Sequence, residues 1–432
     1  MKVGIIGAGA AGMAAAWDLS RAGHQVTIFE AESAVGGLAA GFKDDGWDWT
    51  LEKFYHHWFQ TDQDILKLTE EMGVRDRVIF PRPKTSYWID GKILRSEISP
   101  SALFLPLPIL SKIRFGAVGA FLKLYPDWKS LEQVTAHDFL MNFMGETAYG
   151  KFFRPLLIGK FGDEYQNVNM AWMWARVKAR SLRLGIFEGG FQAFLDTLAR
   201  QLTERGVVIR LNTPVQEIGL HDMKPALTVN GETLTFDRVL STSSPSLMYK
   251  LTPLLRETSY GDSITRLRSI GALCVVVALK HQLLTDGTYW LNLPATTPDK
   301  QTSRFPYLAL VEHTNWMDRA HYGGDHLIYM GDYVPASHEY FKLSEAELTE
   351  RFLASLPTFN PEFKRDWVRK SWVFRAPYAQ PIPYINHSAE IPALATPVPG
   401  VYWASMSQVY PWDRGTNYAV EIGRRVARMM VE

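Results

Sequence analysis

The sequence has a single cysteine, no excess of either charge and no long apolar run. Cys274 alone cannot form an internal disulfide, which is compatible with a reducing cytoplasm. Lysine plus arginine total 46 and aspartate plus glutamate total 45, so the charge gives no reason to expect a nucleic-acid partner. No apolar stretch reaches the roughly 18 to 20 residues that span a bilayer, so no transmembrane segment is expected. Because the first predicted strand follows Met1 almost at once, no signal peptide is expected. The expected location is therefore the cytoplasm.

The start of the chain contains a strand, a glycine-rich turn and a helix in that order. Residues 2–6 form a short strand of the buried type, the next six residues follow the pattern G-x-G-x-x-G, and residues 13–21 are alanine-rich and helical. Gly7 permits the tight turn, Gly9 lets the main chain approach a diphosphate without a Cβ in the way, and Gly12 lets the helix pack against the strand. The helix N-terminus then presents N–H groups and a partial positive charge to the phosphates.

A second predicted strand, residues 25–29, ends at an acidic residue. Glu30 stands roughly 20 residues past the glycines, where a carboxylate accepts hydrogen bonds from ribose hydroxyl groups. The same negative charge disfavours a 2′-phosphate, so NADP is not expected at this position. Strand, turn, helix, second strand and terminal acid together predict a dinucleotide-binding unit.

Residues 30–37 (Glu-Ala-Glu-Ser-Ala-Val-Gly-Gly) resemble the extended signature of the FAD-binding amine oxidase superfamily, which includes monoamine oxidases, protoporphyrinogen oxidases, phytoene desaturases and UDP-galactopyranose mutases. In that family the paired glycines let the loop pass close to the pyrophosphate and the flavin. The resemblance implies an α/β fold, in which a discontinuous Rossmann-type FAD-binding domain carries a mixed-sheet substrate domain and a helical insertion. The expected boundaries are 1–80, 185–266 and 391–432 for the FAD-binding domain, 81–98 and 267–390 for the substrate domain, and 99–184 for the helical subdomain.

Later segments also resemble this family. The main chain at Val215 is expected at the adenine edge, and the last strand and helix are expected at the flavin, where Arg414 would be the strongest positive charge. Leu38 replaces the family's usual Arg or Asn, and Ser405 stands where the family has an acid. Since no cysteine lies near the C-terminal motif, the FAD is expected to be noncovalent. The implied FAD contacts are Gly7, Gly9, Ala10, Ala11, Gly12, Glu30, Ala31, Gly36, Gly37, Leu38, Val215, Ser405, Arg414, Gly415, Thr416 and Asn417.

Two adjacent histidines, His56 and His57, lie in an aromatic segment. In the superfamily this segment passes beside the isoalloxazine, and the mutases carry a similar aromatic-x-x-His-x-Phe pattern there. One of the two is therefore predicted to donate to a flavin carbonyl or to take a substrate proton. The alternative is a histidine that only anchors the loop. No further His, Asp or Glu stands at ligand spacing, so a metal site is not expected.

Two more candidate catalytic residues come from the C-terminal half. Glu312 and His313 end a strand predicted over 306–315, within a strand-rich region, and could form an acid/base pair. Neighbours on one strand point to opposite faces, so a hydrogen-bonding structural role is an equal alternative. Tyr410, in a Tyr-x-Trp-Asp run, adds to the resemblance to the mutases.

The predicted helical region contains a basic, amphipathic stretch. Residues 102–110 are apolar and are followed by Lys112, Arg114 and Lys123. Such a helix could lie on a membrane surface, which would make the protein a peripheral membrane protein. The alternative is the inner face of a helical lobe or a greasy substrate channel. The 14 tryptophans and the aromatic share of 13% fit either an apolar or aromatic small-molecule substrate or a heavily packed core.

The sequence supports three hypotheses on function. The first is an FAD-dependent oxidoreductase that moves a hydride from an organic substrate to flavin N5. No second G-x-G-x-x-G unit exists for NADPH, so oxygen, a quinone or a carrier protein would reoxidise the flavin. The second is a non-redox enzyme resembling UDP-galactopyranose mutase, in which reduced N5 attacks a sugar. The third is a flavin-bound carrier or structural protein. Substrate, electron acceptor and oligomeric state stay open.

Overall fold

The computed structural model describes residues 1–95 and 107–432, and a five-stranded parallel sheet forms one layer. Its strands are β1 (Lys2–Ile6), β2 (Gln25–Phe29), β10 (Val208–Arg210), β14 (Arg238–Ser241) and β20 (Val401–Trp403). They are hydrogen-bonded in the order β10-β2-β1-β14-β20, with every pair parallel. Since three separated parts of the chain supply them, the predicted α/β class with a discontinuous Rossmann-type sheet is confirmed.

The helices packed around this sheet complete the lobe that the sequence assigns to the cofactor. Helices α1 and α9 begin directly after a glycine, at Ala10 and Phe191 rather than at the predicted residues 13 and 194. A Cβ on Gly423 would lie 2.2 Å from the carbonyl oxygen of Ala11, so α13 crosses α1 with their main chains in contact. The helices are α1 (Ala10–Arg21), α2 (Gln63–Glu71), α9 (Phe191–Glu204), α10 (Pro245–Leu251), α11 (Ser259–Arg266) and α13 (Thr416–Val431).

A second, seven-stranded sheet forms the predicted substrate region. Its strands are β7 (Thr85–Ile89), β8 (Lys92–Arg95), β15 (Ser269–Leu279), β16 (Trp290–Asn292), β17 (Ala309–Glu312), β18 (His326–Val334) and β19 (Val368–Pro381), with α12 (Glu345–Leu353) packed on β15 and β19. The order is β19-β15-β18-β17-β16-β7-β8, and only the β16–β7 pair is parallel. The strand predicted over 306–315 is shorter, because the chain turns into a 3₁₀ helix at His313–Asn315.

Short strands connect these two layers. The segment that holds the two histidines ends in β5, which pairs with β9, and β9 in turn pairs with β6. The predicted hairpin about Asn230 and Gly231 is present, with both residues at positive φ as a tight hairpin turn requires. The short strands are β3 (Gly41–Phe42), β4 (Leu51–Glu52), β5 (Trp58–Phe59), β6 (Val78–Ile79), β9 (Leu184–Phe187), β11 (Val215–His221), β12 (Lys224–Val229) and β13 (Glu232–Thr235).

The helical insertion forms a separate lobe against the second sheet. Its helices are α3 (Ile109–Leu124), α4 (Trp128–Leu131), α5 (Ala136–Met144), α6 (Glu146–Ala148), α7 (Arg154–Phe161) and α8 (Met170–Ala179). Residues 99–106, which belong to the same predicted stretch, lie outside the described residues.

The apolar residues at the start of α3 face outward. Ile109 is 79% exposed and Ile113 63%, whereas Val118 and Leu122 are buried. An inner-face role therefore holds for the second half of this helix only. Within residues 1–95 and 107–432, no helix combines the length and the apolar character that crossing a bilayer requires.

Candidate active site

The glycine turn forms a cradle that is open on one side. Gly7 has φ +102°, and a Cβ on Gly12 would lie 2.1 Å from the carbonyl oxygen of Gly7, so both positions need glycine for the fold itself. Gly9 is different. A Cβ there would meet only the carbonyl oxygen of Gly36, at 4.0 Å, so the fold leaves room beside it.

Helix N-termini meet this region without side-chain caps. Helix α1 has Gly9 as N-cap and no acid in its first turn, and α13 has Gly415 as N-cap and no acid in its first turn. Helix α9 shows the contrast, because its first amide, on Phe191, donates to the carboxylate of Glu52 at 2.8 Å. Exposed amides at an uncapped N-terminus bind anions. Two such N-termini, on helices that cross each other, could bind two polar parts of a flavin dinucleotide, its diphosphate and its flavin ring.

Glu30 is buried beside the cradle. Its carboxylate accepts the N–H of Ala8 at 2.7 Å and the N–H of Glu32 at 3.0 Å. Because a carboxylate offers about four acceptor positions, about two remain for ribose hydroxyl groups. The loop that follows returns to the cradle through a bridge between Gly9 and Gly36, with Gly36 and Gly37 both at positive φ.

The other implied cofactor contacts fall into two groups. Ala10, Ala11, Ala31, Leu38 and Val215 lie on the first turn of α1, on the two loops after β2 and at the start of β11; Leu38 is 42% exposed. Thr416 and Asn417 instead turn their side chains inward. The Thr416 hydroxyl accepts the indole N–H of Trp58 at 2.7 Å, and the Asn417 amide oxygen accepts the N–H of Ile65 at 3.0 Å. Their main-chain amides, not their side chains, are thus the groups available to a flavin.

Ser405, predicted as a weak substitute for the acid of the family, hydrogen-bonds to its own turn. Its hydroxyl accepts the N–H of Ser407 at 3.3 Å, while its own N–H donates to Gln408 at 2.8 Å, so the residue caps a 3₁₀ turn and is buried. The cradle with Glu30 and the uncapped helices nevertheless fits FAD. Gly9, Ala10 and Ala11 would hold the diphosphate, Glu30 a ribose, and the amides of Gly415–Asn417 the flavin.

The two histidines make different contacts. His57 Nε2 hydrogen-bonds to the hydroxyl of Tyr289, and the ring packs edge-on against Tyr289, Trp290 and Trp316. His57 therefore anchors the loop to the second sheet. His56 is held through Nδ1, which donates to the carbonyl of Phe54 at 2.6 Å. Burial and then Arg414 lower the pKa of His56 to about 4, and burial lowers that of His57 to about 3. At neutral pH His56 thus keeps a lone pair on Nε2.

Glu312 holds a loop. Its carboxylate is fully buried and accepts the main-chain N–H groups of Leu283 (3.0 Å) and Leu284 (2.5 Å). Its neighbour His313 faces elsewhere and hydrogen-bonds through Nε2 to the hydroxyl of Tyr322 at 2.8 Å. The two side chains do not form an acid/base pair, and of the two interpretations the structural one describes their contacts.

This role predicts the effect of replacing Glu312. We expect Glu312→Ala to lower the free energy of unfolding by about 2 to 3 kcal/mol, because two buried amides lose their acceptor. Glu312→Gln keeps an acceptor and is expected to lose less. Thermal unfolding of both variants measures the difference. A Glu312→Gln variant with unchanged stability and a large loss of turnover would instead assign Glu312 to catalysis.

Tyr410 points into the helical lobe. Its hydroxyl donates to the carboxylate of Glu132 at 3.0 Å and accepts from the amide of Asn169 at 2.9 Å, and its ring packs edge-on against Trp128. These contacts tie the C-terminal segment to the helical lobe and give Tyr410 a positioning role.

Four basic residues meet where the helical lobe, the second sheet and the C-terminal segment converge. We call Lys160, Arg176, Arg180 and Arg414 the cation group. Arg176 Nη1 lies 2.7 Å from Asp413 Oδ2, and Lys160 Nζ lies 4.0 Å from the same oxygen. Arg414 donates through Nε to the amide oxygen of Gln380 at 2.9 Å and through Nη2 to the hydroxyl of Tyr333. Apart from Arg414, sequence reasoning did not single out these residues.

Neither a metal site nor a cysteinyl flavin finds support in the described residues. In residues 1–95 and 107–432, no group of three or more His, Cys, Asp or Glu side chains converges as metal ligands would. Cys274 is fully buried in the middle of β15. Its side chain is thus part of the core of the second sheet.

Comparison with known proteins agrees with this geometry. The family described as "Flavin containing amine oxidoreductase" matches residues 10–431. Mitochondrial protoporphyrinogen oxidase of Nicotiana tabacum is 27% identical over 180 residues, which are 39% of this chain and 34% of that protein. The chain thus matches about a third of the length of that relative.

Solved structures share the fold along the whole chain. A protein of Exiguobacterium sp. 255-15 described as a protoporphyrinogen oxidase has a TM-score of 0.77 at 19% identity and covers 99% of this chain and 98% of its own. A reduced UDP-galactopyranose mutase has a TM-score of 0.74 at 15% identity, with coverage of 100% and 93%. Because the family match spans nearly the whole chain, this protein belongs to the flavin containing amine oxidoreductase family, and that family implies a flavin cofactor.

Proposed function

We propose that this protein oxidises a small organic substrate by taking a hydride from a C–H bond beside a nitrogen, hydroxyl or alkene. FAD, when bound, supplies the two-electron acceptor. The observation that carries the proposal is that His56 and Arg414 both lie near the uncapped N-terminus of α13. Arg414 directly precedes that terminus, and Trp58, two residues after His56, donates to Thr416 in its first turn. A proton-accepting group and positive charge thus border the place assigned to the flavin.

The charges around this N-terminus favour a reduced, anionic flavin. The amides of Gly415–Asn417 and the helix dipole supply partial positive charge, and Arg414 supplies a full one. Burial lowers the pKa of Arg414 to about 10, so the guanidinium stays charged at neutral pH. Positive charge at this position raises the reduction potential of a flavin and assists its role as hydride acceptor.

One anaerobic experiment tests the proposal. The holoenzyme is mixed with amines, hydroxy acids, porphyrinogens and polyenes, and the loss of the oxidised flavin absorbance is followed. Bleaching by one of these classes supports hydride transfer. A flavin that dithionite reduces but that none of these classes bleaches contradicts it.

The two histidines give a matched pair of variants. We expect His56→Ala to slow flavin reduction about a hundredfold or more with the substrate found above, because a positioned base contributes about 10² to 10⁴ in rate. Its thermal unfolding should change less than that of His57→Ala, since the hydrogen bond of His56 is local, to the carbonyl of Phe54 two residues away. His57→Ala should have the opposite profile and lose about 1 to 3 kcal/mol of stability, because it leaves Tyr289 unpaired. Equal rates in His56→Ala and the wild type would exclude His56 as the base.

The pKa of His56 sets the expected pH dependence. Since its folded pKa is lowered to about 4, the ring is neutral above that value and able to accept a proton. Flavin reduction should therefore stay constant from neutral pH down to mildly acidic pH and fall only near pH 4.

The second candidate function is a non-redox UDP-sugar mutase. The cation group, to which Arg414 belongs, favours it, because a diphosphate needs such hydrogen-bond donors. Its test is the absorbance spectrum of the dithionite-reduced holoenzyme with and without UDP. A UDP-dependent change in this spectrum, together with no flavin bleaching by any of the substrate classes above, would favour the mutase over the oxidoreductase.

A further inference from the structure

The cation group carries more positive charge than the structure neutralises. Asp413 is the carboxylate that the described residues place within 4.0 Å of its members. Both oxygens of Asp413 are occupied: Oδ1 accepts the indole N–H of Trp172 and the amide N–H of Gln380, each at 3.1 Å, and Oδ2 accepts Arg176. Burial alone would raise the pKa of Asp413, but Lys160 and Arg176 lower it to about 2. One ionised carboxylate thus faces three arginines and a lysine.

Lys160 is buried without a hydrogen-bond acceptor. The residue is only 4% exposed, and its ammonium group hydrogen-bonds to none of the residues that the structure describes. Its neighbours are aromatic faces instead, with Nζ 4.6 Å from the ring centre of Tyr333 and 5.6 Å from that of Trp172. A buried ammonium group without a hydrogen-bonded partner is costly, which favours the neutral amine until a counter-charge binds beside it.

The aromatic rings hold the cations close to one another. Tyr333 contacts both Lys160 and Arg414, whose guanidinium carbon is 5.1 Å from the ring centre. Trp172 similarly lies against both Lys160 and Arg176, the latter at 5.0 Å. Cation–π contacts stabilise each charge without occupying its hydrogen-bond donors, and those of Lys160 have no acceptor among the described residues.

Arg180 is the outermost member of the group. It follows the last turn of α8, four residues after Arg176, and it is exposed. Among the described residues, no side chain forms an ion pair or accepts a hydrogen bond from its guanidinium. Beside the group lies a small cleft, whose walls include Trp172, Asp413 and Arg414. Donors for an anion thus run from the exposed end of α8 to the start of α13.

We propose that the cation group binds an anionic part of the substrate, a carboxylate or a phosphate, and so orients the C–H bond that is oxidised. This inference rests on the proposed function, because Arg414 links the group to the flavin end of α13. It also excludes a class of substrate. Three arginines against one carboxylate repel an ammonium group, so the substrate is not a cationic amine.

Binding of an anion here should take up a proton. Burial lowers the pKa of the Lys160 amine well below its usual value; Asp413 opposes this effect, and Arg176, Arg414 and Arg180 add to it. A bound anion stabilises the charged form and raises that pKa. Calorimetric titration in two buffers with different ionisation enthalpies measures the number of protons taken up, and this uptake should be absent in Lys160→Met.

The test uses the holoenzyme at constant ionic strength without added chloride. Inorganic pyrophosphate, UDP and succinate serve as anionic probes and hexylamine as the cationic one, with binding followed by calorimetry. We expect the anions to bind and hexylamine not to bind. Tighter binding of UDP and pyrophosphate identifies a phosphate, and tighter binding of succinate identifies a carboxylate; either result supports the inference.

Two variants and a control locate the binding site. Lys160→Met keeps the size of the side chain, and Arg180→Gln changes an exposed residue, so both are expected to fold. Each should weaken anion binding about tenfold or more, since charge-assisted hydrogen bonds are lost. Arg200→Gln, an exposed arginine of α9 that pairs with Glu204, should leave binding unchanged.

The outcomes distinguish a failure of this inference from a failure of the proposed function. Hexylamine binding as tightly as the anions, or unchanged anion binding in both Lys160→Met and Arg180→Gln, overturns the anionic substrate. If the flavin of that same holoenzyme is bleached by an uncharged substrate, the proposed oxidoreductase stands and only the assignment of the cation group falls. A protein that does not bind FAD overturns both.

Discussion

Replacing Gly9 by aspartate should abolish FAD binding while leaving the protein without cofactor folded. The fold leaves room for a side chain at this position, whose backbone is in the extended region (φ −78°), and aspartate is a favoured N-cap. Its carboxylate would occupy the N-terminus of α1 and repel the diphosphate. We expect the FAD dissociation constant to rise about a thousandfold, or about 4 kcal/mol. Titration of the apoprotein with FAD, followed by flavin fluorescence, gives this value.

A second glycine provides the control. Gly12→Ala places a methyl group 2.1 Å from the carbonyl oxygen of Gly7, so it should lower the thermal stability of the apoprotein itself. Gly9→Asp should not, because capping adds a few tenths of a kcal/mol relative to glycine. FAD affinity near that of the wild type in a folded Gly9→Asp variant would refute the placement of the diphosphate.

The largest expected loss of stability comes from Arg424. Its side chain, 10% exposed, binds both oxygens of Asp18 (2.9 and 3.0 Å) and also pairs with Glu71, so it joins α13 to α1 and α2. Arg424→Met would leave these two carboxylates short of positive charge. We expect the free energy of unfolding to fall by about 3 kcal/mol, which urea denaturation measures.

The pH dependence of this loss follows from Glu71. Burial alone would raise its pKa, but Arg424 and Trp17 lower it, so the stabilisation is present above the unfolded pKa of about 4.3 and is lost as the pH falls through the folded value. The difference between Arg424→Met and the wild type should therefore shrink in acid. Arg425→Gln, at the partly exposed neighbour that pairs with Glu421 at 3.7 Å, should cost no more than about 0.5 kcal/mol. Equal losses at Arg424 and Arg425 would contradict the bridging role.

Local patterns predicted the first strand, the glycine turn and the second strand well. These elements and Glu30 are close in sequence, and the neighbours of Gly7 and Gly12 give both of these glycines a steric reason. Helix starts were less accurate, because α1 and α9 begin directly after a glycine that supplies no side-chain cap. The resemblance of residues 30–37 to a known family supplied the choice of FAD.

Long-range packing explains what the sequence could not predict. Lys160 and Arg414 are 254 positions apart in the sequence. Both contact the ring of Tyr333, and Lys160 reaches it because α7 packs on β18. Glu312 and His313 are adjacent, yet their partners lie in different loops, at Leu283–Leu284 and at Tyr322. The substitution of Ser405 for an acid is visible in the sequence, whereas its commitment to a turn requires coordinates.

Lys123 connects the outward-facing helix to the mouth of the cation group. Its ammonium group, in the last turn of α3, donates to the carbonyl oxygens of Lys178 (2.9 Å) and Arg180 (3.1 Å) at the end of α8. The two helix ends are therefore fastened together. A lipid or protein surface that bound the exposed apolar residues at the start of α3 would therefore also orient Arg180. The direction from which substrate approaches the cleft would then depend on that surface.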